Sequence, residues 1–352
     1  MGNKLLTKQY NDLNYCNENY PKKIRYLKDL TKDSYCRSKN DKTFIVFNSI
    51  DNILYLIYYT KDNSIISYNL ITYQKINEIK KINQEIINFD YYCDKNNKRD
   101  LILSKSFKTI LLLWNVKNWE CLAKIENWGD ILYNHLLACF MNDNNNNYII
   151  VISSHYESSK SKLFNLCGEE IKIINEYKDI IDYADIYYDK KLNKNFIITS
   201  HGSYIYTYDY TKNKKYHKYH ERSTRSHYII YYIIIKENNN IIKMIEGELQ
   251  CVRIWDFHKG KLLNKINTDD YLFCGICIWN DDYFIIASNN KKFILGELNG
   301  KRPSNLDKNY RYIEISNAHN AINIQKIFHP KLGECLITQG EKNEQIKIWV
   351  NN

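Results

Sequence analysis

Four times along the chain a short apolar run ends on an aromatic residue: Ile65–Tyr68, Leu111–Trp114, Val252–Trp255 and Ile346–Trp349. Trp114-Asn115 and Trp255-Asp256 are each followed by a short polar turn and a second apolar run, Cys121–Ile125 and Leu262–Ile266. Short apolar runs separated by turn residues read as β-strands in hairpins, so a recurring strand–turn–strand unit constrains this chain to a repeat architecture.

Aligning the aromatic anchors brings out weaker copies at Tyr68-Asn69, Phe164-Asn165 and Tyr208-Asp209, and a degenerate one at Gly296-Glu297. With Trp349 the anchors number seven, at 68, 114, 164, 208, 255, 296 and 349. Their spacing is close to the roughly 40 to 45 residues that a four-stranded propeller blade takes. The Trp-Asn and Trp-Asp endings resemble the WD40-repeat family, and the resemblance implies an all-β, seven-bladed β-propeller. Blades are expected near 43–81, 84–127, 130–177, 180–217, 226–268, 271–316 and 318–352, after an N-terminal arm, 1–42. The last blade stops just after its third-strand anchor Trp349, so a strand near 22–30 is expected to complete it and close the ring. Closure would also remove an open sheet edge.

Glycine (11) and proline (3) are too few to make the turns of such a fold, so Asn and Asp must make them, at places such as Asp62-Asn63, Asn142–Asn147 and Asn289-Asn290. The abundance of Asn, Lys, Ile and Tyr reads as compositional bias and not as a functional tract. WD40 blades carry a buried hydrogen-bond relay of His, Ser or Thr, Asp and the anchor Trp. Fragments of it match here: Asp62, Asn290 and Asn343 lie six residues before their anchors, Ser104 and Ser154 ten before theirs, and His319 stands at the family's Gly-His position.

The chain has no glycine-rich phosphate loop, nucleophile elbow, paired-His zinc motif or kinase signature, so it reads as a non-enzyme without cofactors. Its one CxxC, Cys274-Gly275-Ile276-Cys277, falls in an expected strand, where residues three apart face opposite ways, so structural cysteines are expected and no metal. The other cysteines show no framework spacing and follow no apolar leader, which fits the reducing cytoplasm, with the nucleus left open. No apolar run approaches the roughly 20 residues of a membrane helix. Met1-Gly2 narrowly misses the myristoylation pattern, its Thr7 standing one place late, so a lipid anchor is not expected.

The net charge of +10 favours an acidic partner. It is concentrated in His217–His227, where His217, His220, Arg222, Arg225 and His227 cluster, in the expected link between blades four and five. This run reads either as a solvated loop or as a contact surface. If contact it is, Arg222 and Arg225 would hold an anionic group, and the histidines beside them would titrate low, so that acid strengthens binding only below roughly pH 6. Trp128, Tyr271 and His319 stand in other connectors of the same face, and Trp128 reads equally as an interface anchor or as packing onto a neighbouring blade. An insertion, Gly300–Asn309, adds basic charge but no aromatics.

The resemblance implies a non-catalytic scaffold that binds a protein or peptide, acidic or phosphorylated, within a multi-protein assembly. The alternative is an anion-reading propeller for RNA or phosphoinositide, although the Phe-Arg-Arg-Gly motif of lipid-reading propellers is absent.

Overall fold

Because the apolar runs are short, two-sided and regularly spaced, each can be buried only between two neighbouring sheets, and that is how the chain is arranged. The computed structural model describes residues 24–37, 41–107, 110–126, 134–143, 146–154, 159–177, 180–201, 204–220, 232–238, 241–248, 251–267, 275–287, 292–298, 310–313, 321–340 and 345–351. These residues form strands and turns and no helix. A first strand, β1 (Ile24–Asp29), is followed by blade one with β2 (Phe44–Asn48), β3 (Leu54–Tyr59), β4 (Ile65–Asn69) and β5 (Gln74–Ile79), and by blade two with β6 (Ile86–Asp94), β7 (Arg99–Ser106), β8 (Leu111–Asn115) and β9 (Glu120–Ile125). Blade three has β10 (Asn134–Asp143), β11 (Asn146–Ser154), β12 (Ser159–Asn165) and β13 (Glu170–Tyr177); blade four has β14 (Tyr183–Asp189), β15 (Lys194–His201), β16 (Tyr204–Asp209) and β17 (Lys214–Tyr219). Blade five has β18 (Tyr232–Asn238), β19 (Ile241–Glu248), β20 (Cys251–Asp256) and β21 (Lys261–Asn267); blade six has β22 (Ile276–Ile278), β23 (Tyr283–Ala287), β24 (Phe293–Glu297) and β25 (Tyr310–Ile313). Blade seven has β26 (Ala321–His329), β27 (Gly333–Gly340) and β28 (Ile346–Asn351).

Each blade is an antiparallel sheet in chain order, and the seventh runs β1-β28-β27-β26. The expected closure by the N-terminal strand is therefore present. Ile24 pairs with Asn351 and Tyr26 with Trp349, and beyond the strand the Leu30 amide donates to the Ile346 carbonyl at 2.7 Å. Ile24, 1% exposed, joins a core cluster with Trp349, Leu336, Trp279 and Phe293. All seven interfaces between neighbouring blades have such an apolar cluster, including the one where Ile337 and Ile348 of blade seven meet Phe44 and Leu56 of blade one. The result is a ring of seven blades, a β-propeller. The second strands lie inside it on both faces, and all six residues of β3 are buried.

The anchors show what the repeat is for. The indole N–H of Trp114 donates to Ser104 Oγ at 2.9 Å, that of Trp349 to Thr338 Oγ1 at 2.8 Å and that of Trp255 to Glu246 Oε2 at 3.0 Å. In register each acceptor lies two residues beyond the anchor's cross-strand partner, which is Ile102, Leu336 or Met244. Strand pairing, and not a fixed count, sets the acceptor, because the connecting hairpins differ in length. Ser104 is thus in place as expected. Ser154 lies five residues beyond Ile149, the partner of Phe164, and Phe164 has no donor. Thr338 and Glu246 escape a count of ten. Asp62 accepts from Thr60 Oγ1 in its own turn, and Asn290, Asn343 and His319 lie outside the described residues.

The Asn or Asp after the anchor makes the turn to the outer strand. Asn69 Oδ1 accepts the amides of Ile71 and Thr72 at 2.8 and 3.1 Å, and Asp209 Oδ1 those of Thr211 and Lys212 at 3.0 and 3.2 Å. Four residues after Asn69, Asn115, Asp209 and Asp256 the backbone turns left-handed, at Tyr73, Trp119, Asn213 and Gly260, with φ of 58°, 56°, 49° and 64°; after Asn165 it does so three residues on, at Gly168. Asn63 is also left-handed, as its expected turn demands; Asn289 and Asn290 lie outside the described residues. Side-chain capping thus replaces most of the glycine that these turns would otherwise take.

Candidate functional site

Blade four brings aromatic rings and cations together on one strand face. Its third strand, β16, alternates: Ile205 is buried against blade five, while Tyr204, Tyr206 and Tyr208 point to the other face, where Tyr208 packs on blade three. Consecutive tyrosine rings stand 6.2 and 6.5 Å apart between centroids. The outer strand β17 carries Lys214, Lys215 and Lys218 and no acid; β21 carries two lysines and no acid, and β5, β9 and β13 mix Lys with Glu. Pairing sets Lys218 opposite Tyr206 and, after a bulge, Lys215 opposite Tyr208. Their ammonium groups lie over the neighbouring rings, Lys218 Nζ 3.6 Å from the centroid of Tyr204 and Lys215 Nζ 3.8 Å from that of Tyr206. The imidazole of His220 is 4.4 Å from the Tyr204 ring and that of His201 is 5.2 Å from Tyr206. A strip of alternating cations and rings results, each ammonium attracted to the π-face below it.

Of the residues that the sequence pointed to, His220 stands in this strip. His217, expected at the end of the blade, lies within β17, where its amide donates to Thr207 Oγ1 at 3.2 Å and its ring points toward Tyr219, away from the tyrosine column. Trp128, Arg222, Arg225, His227, Tyr271 and His319 lie outside the described residues, as does Cys274 of the CxxC. Cys277 is buried in β22, and burial pushes its thiol up to about 12. Among the described residues no group of three or more His, Cys, Asp or Glu is placed to hold a metal ion. Tyr204, Tyr206, Lys215 and Lys218 were missed as a site; the strand alternation of tyrosines next to an all-basic strand was the signal that could have found them.

A second cluster lines the channel, on the innermost strands. Asp90 of blade two, Cys139 of blade three, Tyr183 and Asp185 of blade four, and Lys42 interact electrostatically around it. Asp90 accepts the Phe140 amide at 2.8 Å and so ties blades two and three, while the Tyr183 hydroxyl donates to Asp185 Oδ2 at 3.2 Å within β14. Burial pushes Asp90 up to about 6 and raises Asp185, and it lifts the Cys139 thiol well above its ordinary value.

Since the folded chain keeps a proton on Asp90 that the unfolded chain releases near pH 4, this group's contribution is full below pH 4 and is lost as pH rises through about 6. Asp90→Asn, which retains an acceptor for Phe140, is therefore expected to be more stable than the parent at pH 7.5 by roughly 1–2 kcal/mol. The gap should close near pH 4. Urea denaturation at both pH values checks this, and an unchanged gap would contradict it.

Other buried or half-buried polar groups join neighbouring blades. His258 Nε2 meets Asp189 Oδ2 at 2.8 Å, and the Tyr216 hydroxyl meets His258 Nδ1 at 3.0 Å, which joins blades four and five. Asp100 accepts the Ile50 amide at 3.0 Å across blades one and two. Compared with models of known protein families and with curated proteins, the chain matches none.

Proposed function

We propose that the protein is a non-catalytic interaction platform of the WD40 type, a rigid ring that presents connectors and side surfaces to partners in a multi-protein assembly. The observation that carries this reading is where the ionisable groups go. Asp189 with His258, Glu246 with Arg253 and Asp100 with the Ile50 amide join or brace blades, while exposed cations, Lys215 and Lys218 of blade four among them, project outward. Groups engaged in bracing a ring are poorly placed to react, and exposed cations beside aromatic rings are well placed to bind. The Trp–Ser and Trp–Thr bonds and the Asn- and Asp-capped turns support the WD40 comparison. The reducing cytoplasm is the compartment that the unframed cysteines fit.

The test is quantitative recovery of partners from native cells with the full chain as bait, set against Arg222→Glu/Arg225→Glu. Stoichiometric protein partners reduced severalfold by the double variant would support a platform that uses this connector. Equal recovery would remove the connector from the binding surface, and recovery of no stoichiometric protein with either bait would overturn the platform reading.

A further inference from the structure

We propose that the lysine–tyrosine strip on the outer half of blade four binds single-stranded nucleic acid. This site is a side surface and stands apart from the choice of a protein partner for the connectors. Three features carry it. The rings of Tyr204 and Tyr206 stand 6.2 Å apart on one half-exposed strand face, with Tyr208 next in line at 6.5 Å but packed onto blade three, so the surface offers two neighbouring π-faces. Ammonium groups of Lys215 and Lys218 stand at those faces, and both lysines are exposed, so they are free to swing from ring to phosphate when a base takes their place. Finally, the stretch 211–220 contains four lysines, two histidines and no acid, where the matching stretch of blade five, 258–267, has three lysines and one histidine.

A pair of adjacent rings fringed by cations fits a ligand whose repeating unit has both a flat π-face and a negative charge. A nucleotide in a single strand has both, and stacking is tolerant of sequence because every base has such a face. A duplex keeps its bases stacked inside and has no use for the rings. An acidic peptide or an anionic membrane supplies the charge but nothing regular to stack. Open sheet faces with aromatic residues serve single strands in this way elsewhere in protein structure.

The experiment is fluorescence anisotropy with a labelled twelve-nucleotide oligouridine and the full chain at low salt, repeated with oligothymidine, which separates RNA from DNA as the source of the strand. Binding is expected to weaken about tenfold or more in Tyr206→Ala and in Tyr204→Ala, while Tyr206→Phe, which keeps the ring, retains it. Lys215→Ala/Lys218→Ala should weaken binding and make the slope of log affinity against log salt shallower by about 1.4, near 0.7 for each lost phosphate contact. Unchanged circular dichroism and melting temperature in the lysine pair, whose side chains are exposed, separate a lost site from a lost fold. Three results would overturn the proposal: neither oligonucleotide binding, binding indifferent to Tyr206→Ala, or competition by polyglutamate or phosphatidylserine vesicles as effective as that by unlabelled oligonucleotide. The latter two competitors would assign the strip to an acidic protein or to a membrane. None of these results bears on whether the connectors hold a protein.

Discussion

Glu246→Ala is expected to remove about 3–5 kcal/mol of stability, the largest loss from any single polar truncation in the ring. Glu246 is 4% exposed, and its two oxygens divide between two neighbours, Oε1 accepting from Arg253 at 2.8 Å and Oε2 from the Trp255 indole at 3.0 Å. Truncation would deprive a guanidinium that is itself only 7% exposed of its facing carboxylate, and would leave the indole donor without this acceptor. Glu246→Gln keeps an acceptor but not the charge, so a smaller loss is expected. Replacing Glu246 and Arg253 together by methionine should recover most of the deficit, since a buried pair is worth little over apolar groups of the same volume, and leave only the indole's share of about 1–3 kcal/mol. Urea denaturation of the three variants checks the order. A loss under about 1 kcal/mol in Glu246→Ala would mean that the trio is not buried as described.

Gly296→Ala is expected to cost about 3 kcal/mol, at the upper end for over-packing a core. Gly296 stands where the other blades have their aromatic anchor, and in register it faces Phe284, whose ring is fully buried. A Cβ at Gly296 would meet the Phe284 ring carbons at 2.1 to 2.6 Å, far inside contact distance. The ring has crossed to the neighbouring strand, and the anchor position has shrunk to admit it. Phe284→Leu combined with Gly296→Ala should therefore be more stable than Gly296→Ala alone, a reversal that simple loss of glycine flexibility would not produce. Melting curves of the parent, both single variants and the double variant measure that coupling, and additive losses would refute the exchange.

Those two sites also mark how far the sequence could be read. The period of the anchors was legible because every blade must repeat the same strand–turn–strand unit to bury its neighbours, and the missing outer strand of blade seven pointed to its replacement near Ile24–Asp29. Gly296-Glu297 was recognisable as a degenerate anchor only by spacing, since nothing local to Gly296 tells that Phe284 fills its place. The relay acceptor Glu246 was hidden for a related reason: its distance along the chain from Trp255 depends on a hairpin length that pairing alone defines.

The candidate site was less legible than the fold. Tyr208 drew notice as an anchor, yet its role in a column with Tyr204 and Tyr206 depends on which face of β16 turns toward blade five. His220 was picked out by charge, and the same run placed His217 beside it, although at three residues apart the two have unlike parity and turn to opposite faces. Asp90 and Asp185 sit on different blades and meet only around the channel, a proximity that exists once the ring is closed.

Ring closure is the claim on which the cores, the channel and the blade-four strip all depend, and hydrogen exchange of the full chain tests it most directly. Backbone amides within Ile24–Asp29 that pair with β28 should exchange as slowly as those of Ile346–Asn351, because one opening event would release both strands. Exchange of the Ile24–Asp29 amides within seconds, while Ile346–Asn351 stays protected, would show the N-terminal strand unpaired and contradict the closed seven-bladed ring.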